Sequence, residues 1–280
     1  MSQLPISPGA KAARPGGGLA QSLADVSIIT WRNLKRIPRI PELAIFAVLQ
    51  SIMFVLLFVY VFGGAIAVPG GGSYVDYLMP GIFVQTLTFA AATTAIGMAD
   101  DSHKGIIDRF RSLPMARSAV LSGRSVADVV YNALILVVLM ITGLVVGWRI
   151  DSSLPESLAG IALLLGFAFA MSWLGIVLGL SVPSVEVAQQ AVFIVLFPLT
   201  FVSSAFVPVA TLPSWLQPFA EWNPITVITY ATRDLFGNPN PTLGGGLPAE
   251  YPIPLSIAWI VAIVLVFAPL AVRRYSRLDR

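Results

Sequence analysis

The chain predicts an all-α integral membrane protein: six transmembrane helices, an amino-terminal amphipathic helix lying in the membrane interface, and a short re-entrant helical pair before the last span. Three observations carry that prediction. Of its 280 residues, 56% are hydrophobic and 11% charged, with a mean hydropathy of +0.83, whereas a soluble domain carries about a quarter charged residues. Charge-free runs of about 20 residues recur, the length that a helix rising 1.5 Å per residue needs to cross a roughly 30 Å hydrocarbon layer. Those runs lack the period-2 alternation of a membrane barrel.

Residues 1–20 are rich in Pro and Gly and include Lys11 and Arg14, with no apolar run that could serve as a signal-peptide core. They are expected to be a disordered cytoplasmic tail. Residues 21–41 form an amphipathic interfacial helix. On a 100° wheel Leu23, Val26, Thr30, Leu34 and Ile37 fall on one side and Asp25, Arg32, Lys35 and Arg36 on the other, with Trp31 at the flank. Pro38 and Pro41 stop that helix.

The transmembrane domain, 42–272, holds spans at 43–62, 78–99, 129–148, 157–182, 187–207 and 253–272. The fourth and fifth are separated only by a short turn at Pro183, Ser184 and Glu186. Residues 208–252 set Trp215, Phe219, Trp222 and Tyr230 among Pro213, Pro218 and Pro224, with apolar stretches too short to span. That pattern fits a pair of short helices dipping into the outer interface, the alternative being a solvated loop with an aromatic fringe. A basic tail, 273–280, closes the chain. Every Lys and Arg apart from Arg149 and Arg233 falls on one side of this topology, which by the positive-inside rule places both termini in the cytoplasm and the chain in a bacterial cytoplasmic membrane.

Several chemistries are excluded. The sequence has no cysteine, so disulfides and thiolate metal sites are absent, and its one histidine, His103, reads as a solvated side chain beside carboxylates. No phosphate-binding Gly-x-x-x-x-Gly-Lys-Ser/Thr and no His-Glu-x-x-His occurs. The spans carry no nucleophile paired with a base and no carboxylate pair, which argues against an intramembrane hydrolase and against an ion-coupled carrier. The chain is not expected to be an enzyme or to bind nucleic acid. The spans and loops take up nearly all the residues, leaving no room for an ATPase domain, so energy for any driven process is expected from a partner.

Uncharged polar residues do lie within the spans. Gln50, Gln85, Thr88, Asn132, Gln189 and Gln190 are candidates for a substrate pathway; Ser51, Thr86, Thr93 and Thr94 are further uncharged polar residues of the spans. Such groups most often hydrogen-bond between helices. A lining of amides, hydroxyls and aromatics would suit a large, weakly polar cargo better than an ion.

Residues 100–128 are the one long, densely charged interval between two spans, read as a cytoplasmic loop that is either a topology anchor or a docking surface. Anchoring needs only Lys and Arg. Within 104–114, however, Gly105 permits a sharp turn, Ile106, Ile107 and Phe110 offer an apolar face, Asp108, Arg109 and Arg111 supply a polar rim, and Pro114 ends the element. An apolar face with one aromatic fits a groove on a partner.

The run from Asp108 to Pro114, with Arg117, Gly123-Arg124 and Asp128 beyond it, resembles the signature loop of type-2 ATP-binding-cassette (ABC) exporter permeases, and within them the daunorubicin-resistance group. Leu212-Pro213-Ser214-Trp215-Leu216, Asn223-Pro224 and Arg233 are similar to the same family's segment before its last span. The resemblance covers the chain from about Leu23 to Arg274. It implies a six-span half-transporter that pairs as a homodimer or with a second permease. It also implies docking through a coupling helix at 104–114 on a separate ABC ATPase, which would bind ATP and Mg. The cargo would be a hydrophobic or amphipathic molecule, a drug or a lipid. The alternative is an ATP-independent channel or membrane scaffold.

Overall fold

The computed structural model describes residues 19–35, 41–63, 68, 71–106, 117–242 and 246–277. Nearly all of the expected tail 1–20, Pro38, most of the expected coupling helix and the last three residues lie outside them. Ten α-helices cover most of the described chain: α1 (Leu19–Leu34), α2 (Pro41–Leu57), α3 (Tyr74–His103), α4 (Arg117–Val146), α5 (Leu154–Gly179), α6 (Val185–Phe201), α7 (Gln217–Trp222), α8 (Pro224–Phe236), α9 (Leu247–Glu250) and α10 (Pro252–Arg277). A π-helical turn, Phe58–Phe62, extends α2. No strand occurs among the described residues.

The helix starts follow from local chemistry. Ser73 accepts a hydrogen bond from Val75 N at the head of α3, and Ser184 accepts one from Val187 N at the head of α6. Asn223 does the same for Ile225 N ahead of Pro224 in α8. At α5 the backbone N–H of Ser153 donates to Glu156 Oε2 at 2.9 Å, closing a capping box. Each cap satisfies a donor that the first helical turn cannot. Gly237, at φ 68°, ends α8 in the left-handed conformation favoured after a helix.

α2, α4 and α6 run from an end of the bundle marked by Arg124 to an end marked by Arg233, and α3, α5 and α10 run back. Among the described residues, four helices are long and apolar enough to cross a membrane: α3, α5, α10 and residues 118–146 of α4. Val48–Val61 and Val185–Phe201 are shorter apolar helical stretches. α3 lies at the centre, buried along its length by α5, α6, α8 and α4. Gly175 and Gly179 allow that closeness, because a Cβ at either would overlap the backbone of Ala91 or Ala95. At the Arg233 end Phe83, Trp148 and Phe236 pack edge to face, with centroids 5.2 to 6.3 Å apart, and the Trp148 indole donates to Asn238 Oδ1 at 2.9 Å.

Several sequence expectations need correction. The charged interval 100–128 is not a loop throughout, since its ends belong to α3 and α4. Its acidic residues can sit in those helices because Arg124 meets Asp101 at 3.1 Å and Asp128 at 3.6 Å. The fifth expected span, 187–207, ends as a helix at Phe201, soon after Pro198 removes a backbone donor, and the chain from 202 to 206 turns inward. The last helix continues through Arg277, into the expected tail. α1 packs on α4 through Ile29, which is buried, and through Thr30, whose hydroxyl donates to Gly123 O at 3.1 Å. Ile28 and Trp31 face outward, with the Lys35 ammonium 5.2 Å from the Trp31 ring centroid.

Candidate functional site

A groove of about 300 Å³ lies between α2, α3, α4 and α6. Gln50 and Phe54 reach it from α2, Gln85, Thr86, Phe89 and Thr93 from α3, Tyr131 and Asn132 from α4, and Phe193, Phe197 and Phe201 from α6. One wall is therefore aromatic, at the four-residue spacing that stacks side chains on one helix face. The facing walls carry amides and hydroxyls. Among the described residues, no Asp, Glu, Lys, Arg or His lines the groove. Such a surface can hold an uncharged, partly aromatic molecule by burying its rings and hydrogen-bonding its edges, and it offers nothing to neutralise an ion.

Of the expected pathway residues, Gln50, Gln85 and Asn132 come together here. Thr88 does not: it is fully buried and donates to Val84 O at 2.8 Å within its own helix. Gln189 and Gln190 are exposed on α6, about one turn before Phe193, the first α6 residue of the groove. Sequence reasoning passed over the aromatic wall, although Phe193, Phe197 and Phe201 repeat every fourth residue.

At the groove's Arg233 end, Phe206 packs against Phe54, Phe58 and Phe201, with centroids 4.6 to 5.7 Å apart. Behind it, Arg233 is fully buried, although it read as an outer-side residue. Its guanidinium donates to Tyr77 O at 3.0 Å, Ser204 Oγ at 3.0 Å and Ser204 O at 2.8 Å, and lies 3.7 Å from the Tyr77 ring centroid. α3, α8 and the turn after α6 are thereby joined through one side chain. Asn223 adds two bonds from its amide, to Leu199 O and Val202 O. Neighbouring Asp234 is partly withdrawn from water, which pushes its carboxyl above the usual carboxylate range, while Asn240 and Arg233 pull it back. The sequence signal for Arg233 was a basic residue, accompanied only by the adjacent Asp234, in a stretch from Ile225 to Phe236 otherwise free of charge.

At the opposite end, Gly105 adopts φ 64° straight after α3, as the expected turn requires, and Ile106 is half-buried. Ile107, Asp108, Arg109, Phe110, Arg111 and Pro114 lie outside the described residues. His103 contacts the Pro183 carbonyl in the turn between α5 and α6. Arg149 and Arg233 sit at one end of the bundle, and the other described Lys and Arg residues, from Arg32 to Arg277, at the other.

Comparison with known proteins follows the same lines. The family model for the ABC-2 type transporter matches residues 24–236. The chain is 32% identical over 245 residues to the daunorubicin resistance ABC transporter permease protein DrrB1 of Streptomyces coeruleorubidus, covering 88% of this chain and 83% of that protein. It is 27% identical to a probable doxorubicin resistance ABC transporter permease protein, DrrC, of Mycobacterium tuberculosis, over 92% of this chain and 91% of the relative. A putative transport permease, ycf38, of Cyanophora paradoxa is 24% identical over 77% of this chain and 75% of its own length.

Proposed function

The chain belongs to the ABC-2 type transporter family and is a multi-pass membrane transport subunit; from that premise we propose that it is the permease of an ATP-driven exporter for an uncharged or weakly polar, partly aromatic molecule. The observation that carries this reading is the groove, a charge-free surface of aromatic and amide side chains between apolar helices. Its energy comes from a separate ABC ATPase binding ATP and Mg, because the sequence has no phosphate-binding loop and the groove has no group for ion coupling. The relatives named for daunorubicin and doxorubicin resistance support a drug-like cargo.

In the bilayer α2 with its π-helical turn and α6 complete six spans, and α7 and α8 form the re-entrant pair. The Arg124 end, with its Lys and Arg residues, faces the cytoplasm of a bacterium. The ATPase docks at 104–114. A second permease covers the open side of the groove, since amides left against lipid without partners are costly.

The test is to isolate the tagged chain from its native membranes and measure copurifying ATPase and cargo export in vesicles. Retention of an ABC ATPase with ATP-dependent export is expected. Flux that continues without ATP, with no ATPase retained, would refute the reading in favour of a channel.

A further inference from the structure

The inner ends of α3 and α4, which lead into 104–116, are tied by a compact polar cluster. Arg124 Nη1 donates to Asp101 Oδ2 at 3.1 Å across the two helices, and Arg124 Nε lies 3.6 Å from Asp128 Oδ1 on its own helix. The Thr94 hydroxyl of α3 donates to the other oxygen of Asp128 at 2.8 Å, crossing back. The side chains are 14%, 7% and 20% exposed for Arg124, Asp101 and Asp128, so water screens them little. Gly97 leaves the space for this arrangement, because a Cβ there would overlap the Arg124 guanidinium.

The cluster also stands between three other parts. Gly123, next to Arg124, receives Ile29 and the Thr30 hydroxyl of α1. Asn132, one turn beyond Asp128, and Thr93, beside Thr94, both line the groove.

We infer that Arg124 is a positioning residue that clamps α3 to α4, so that a displacement imposed at their inner ends moves both helices, and α1 with them, as one body against the groove. Arg suits the role because its planar fork reaches carboxylates on two sides, whereas a lysine ammonium is a single point donor. With the clamp cut, the ATPase still docks and still hydrolyses ATP, but α3 and α4 slide past each other and the stroke does not reach the cargo. The inference rests on the ATPase-coupled reading above.

The test uses the permease with its ATPase in membrane vesicles, comparing Arg124→Gln, Arg124→Lys and Gly97→Ala with the parent at matched membrane levels. Three quantities are read: ATPase retained on pull-down, ATP hydrolysed without cargo, and cargo exported per ATP hydrolysed. For Arg124→Gln the expected result is retention and basal hydrolysis within about twofold of the parent and export per ATP at least tenfold lower. Arg124→Lys should recover part of that loss. Gly97→Ala, which keeps every charge but fills the guanidinium's space, should lower the same ratio, and it carries the test if Arg124→Gln fails to reach the membrane. Unchanged export per ATP in the variants overturns the inference alone, as does a loss of export that only follows a loss of bound ATPase. A parent that neither retains an ATPase nor exports overturns the ATPase-coupled reading and this inference with it.

Discussion

Replacing Arg233 with Ala removes the side chain that joins α3, α8 and the turn after α6, and the cost can be worked out group by group. Three hydrogen bonds disappear, to Tyr77 O, Ser204 Oγ and Ser204 O. Ser204 O keeps a donor, because the Tyr77 hydroxyl reaches it at 3.0 Å. Tyr77 O lies within α3 and keeps its place in the helical ladder, whereas the Ser204 hydroxyl loses its donor in a site without water access, at about 1–3 kcal/mol for a buried group left unsatisfied. Stacking on Tyr77, about 2 kcal/mol for a desolvated cation over a ring, is lost as well. Against this, the variant no longer buries a guanidinium away from water, a relief that offsets part of these losses. The net destabilisation is about 2 kcal/mol, which for a chain of this size corresponds to a melting temperature lower by about 4–8 °C. Thermal unfolding of the purified protein in detergent measures it, with Arg149→Ala as the control. Arg149 is exposed and bonds only the carbonyls of Leu144 and Trp148 through its guanidinium, so its loss should cost under about 1 kcal/mol. An Arg233→Ala protein that melts within about 2 °C of the parent, or no lower than Arg149→Ala, would refute the reasoning.

Two further outcomes are expected. Phe110→Ala should leave membrane abundance unchanged but weaken ATPase retention by about 2 kcal/mol or more, the loss of a buried aromatic hot spot, while Arg109→Ala does less; a pull-down at matched membrane levels in which Phe110→Ala holds the ATPase like the parent would make 104–114 an anchor only. Because the chain has no cysteine, single cysteines at Ser73, Ser153 and Thr242 should react with an impermeant thiol reagent added outside, and those at Ser118, Ser184 and Ser276 should not; outside labelling at Ser118 would reverse the topology.

The apolar runs were legible because the length and hydropathy of a bilayer-crossing helix are properties of the sequence itself, whereas the caps at Ser73, Ser184 and Asn223 emerged only from the structure. Helix ends near charge were less so. Asp101, Arg124 and Asp128 looked like loop residues since each alone is costly at depth, and only their mutual proximity makes a helical, half-dry position tolerable. Arg233 was hidden for the same reason: its partners are the backbone of Tyr77 and the backbone and hydroxyl of Ser204, distant in sequence and without charge. Among the pathway candidates, the polar residue types that drew attention to Gln50, Gln85 and Asn132 drew equal attention to Thr88, which bonds its own helix. Residue type marks which side chains need a partner, but helix rotation decides whether a groove supplies it.

The charge-free wall of the groove has an electrical consequence. A carrier that moves fixed charges through the membrane field has a cycle whose rate depends on voltage even when its cargo is neutral, at about 2.3 kcal/mol per elementary charge per 100 mV. Rearranging side chains such as Gln85, Asn132 and Phe197 displaces only small dipoles. On the proposed reading the groove itself then adds little electrical work to a cycle, and voltage dependence would come from the charge on the cargo and from movement of the Asp101, Arg124 and Asp128 cluster.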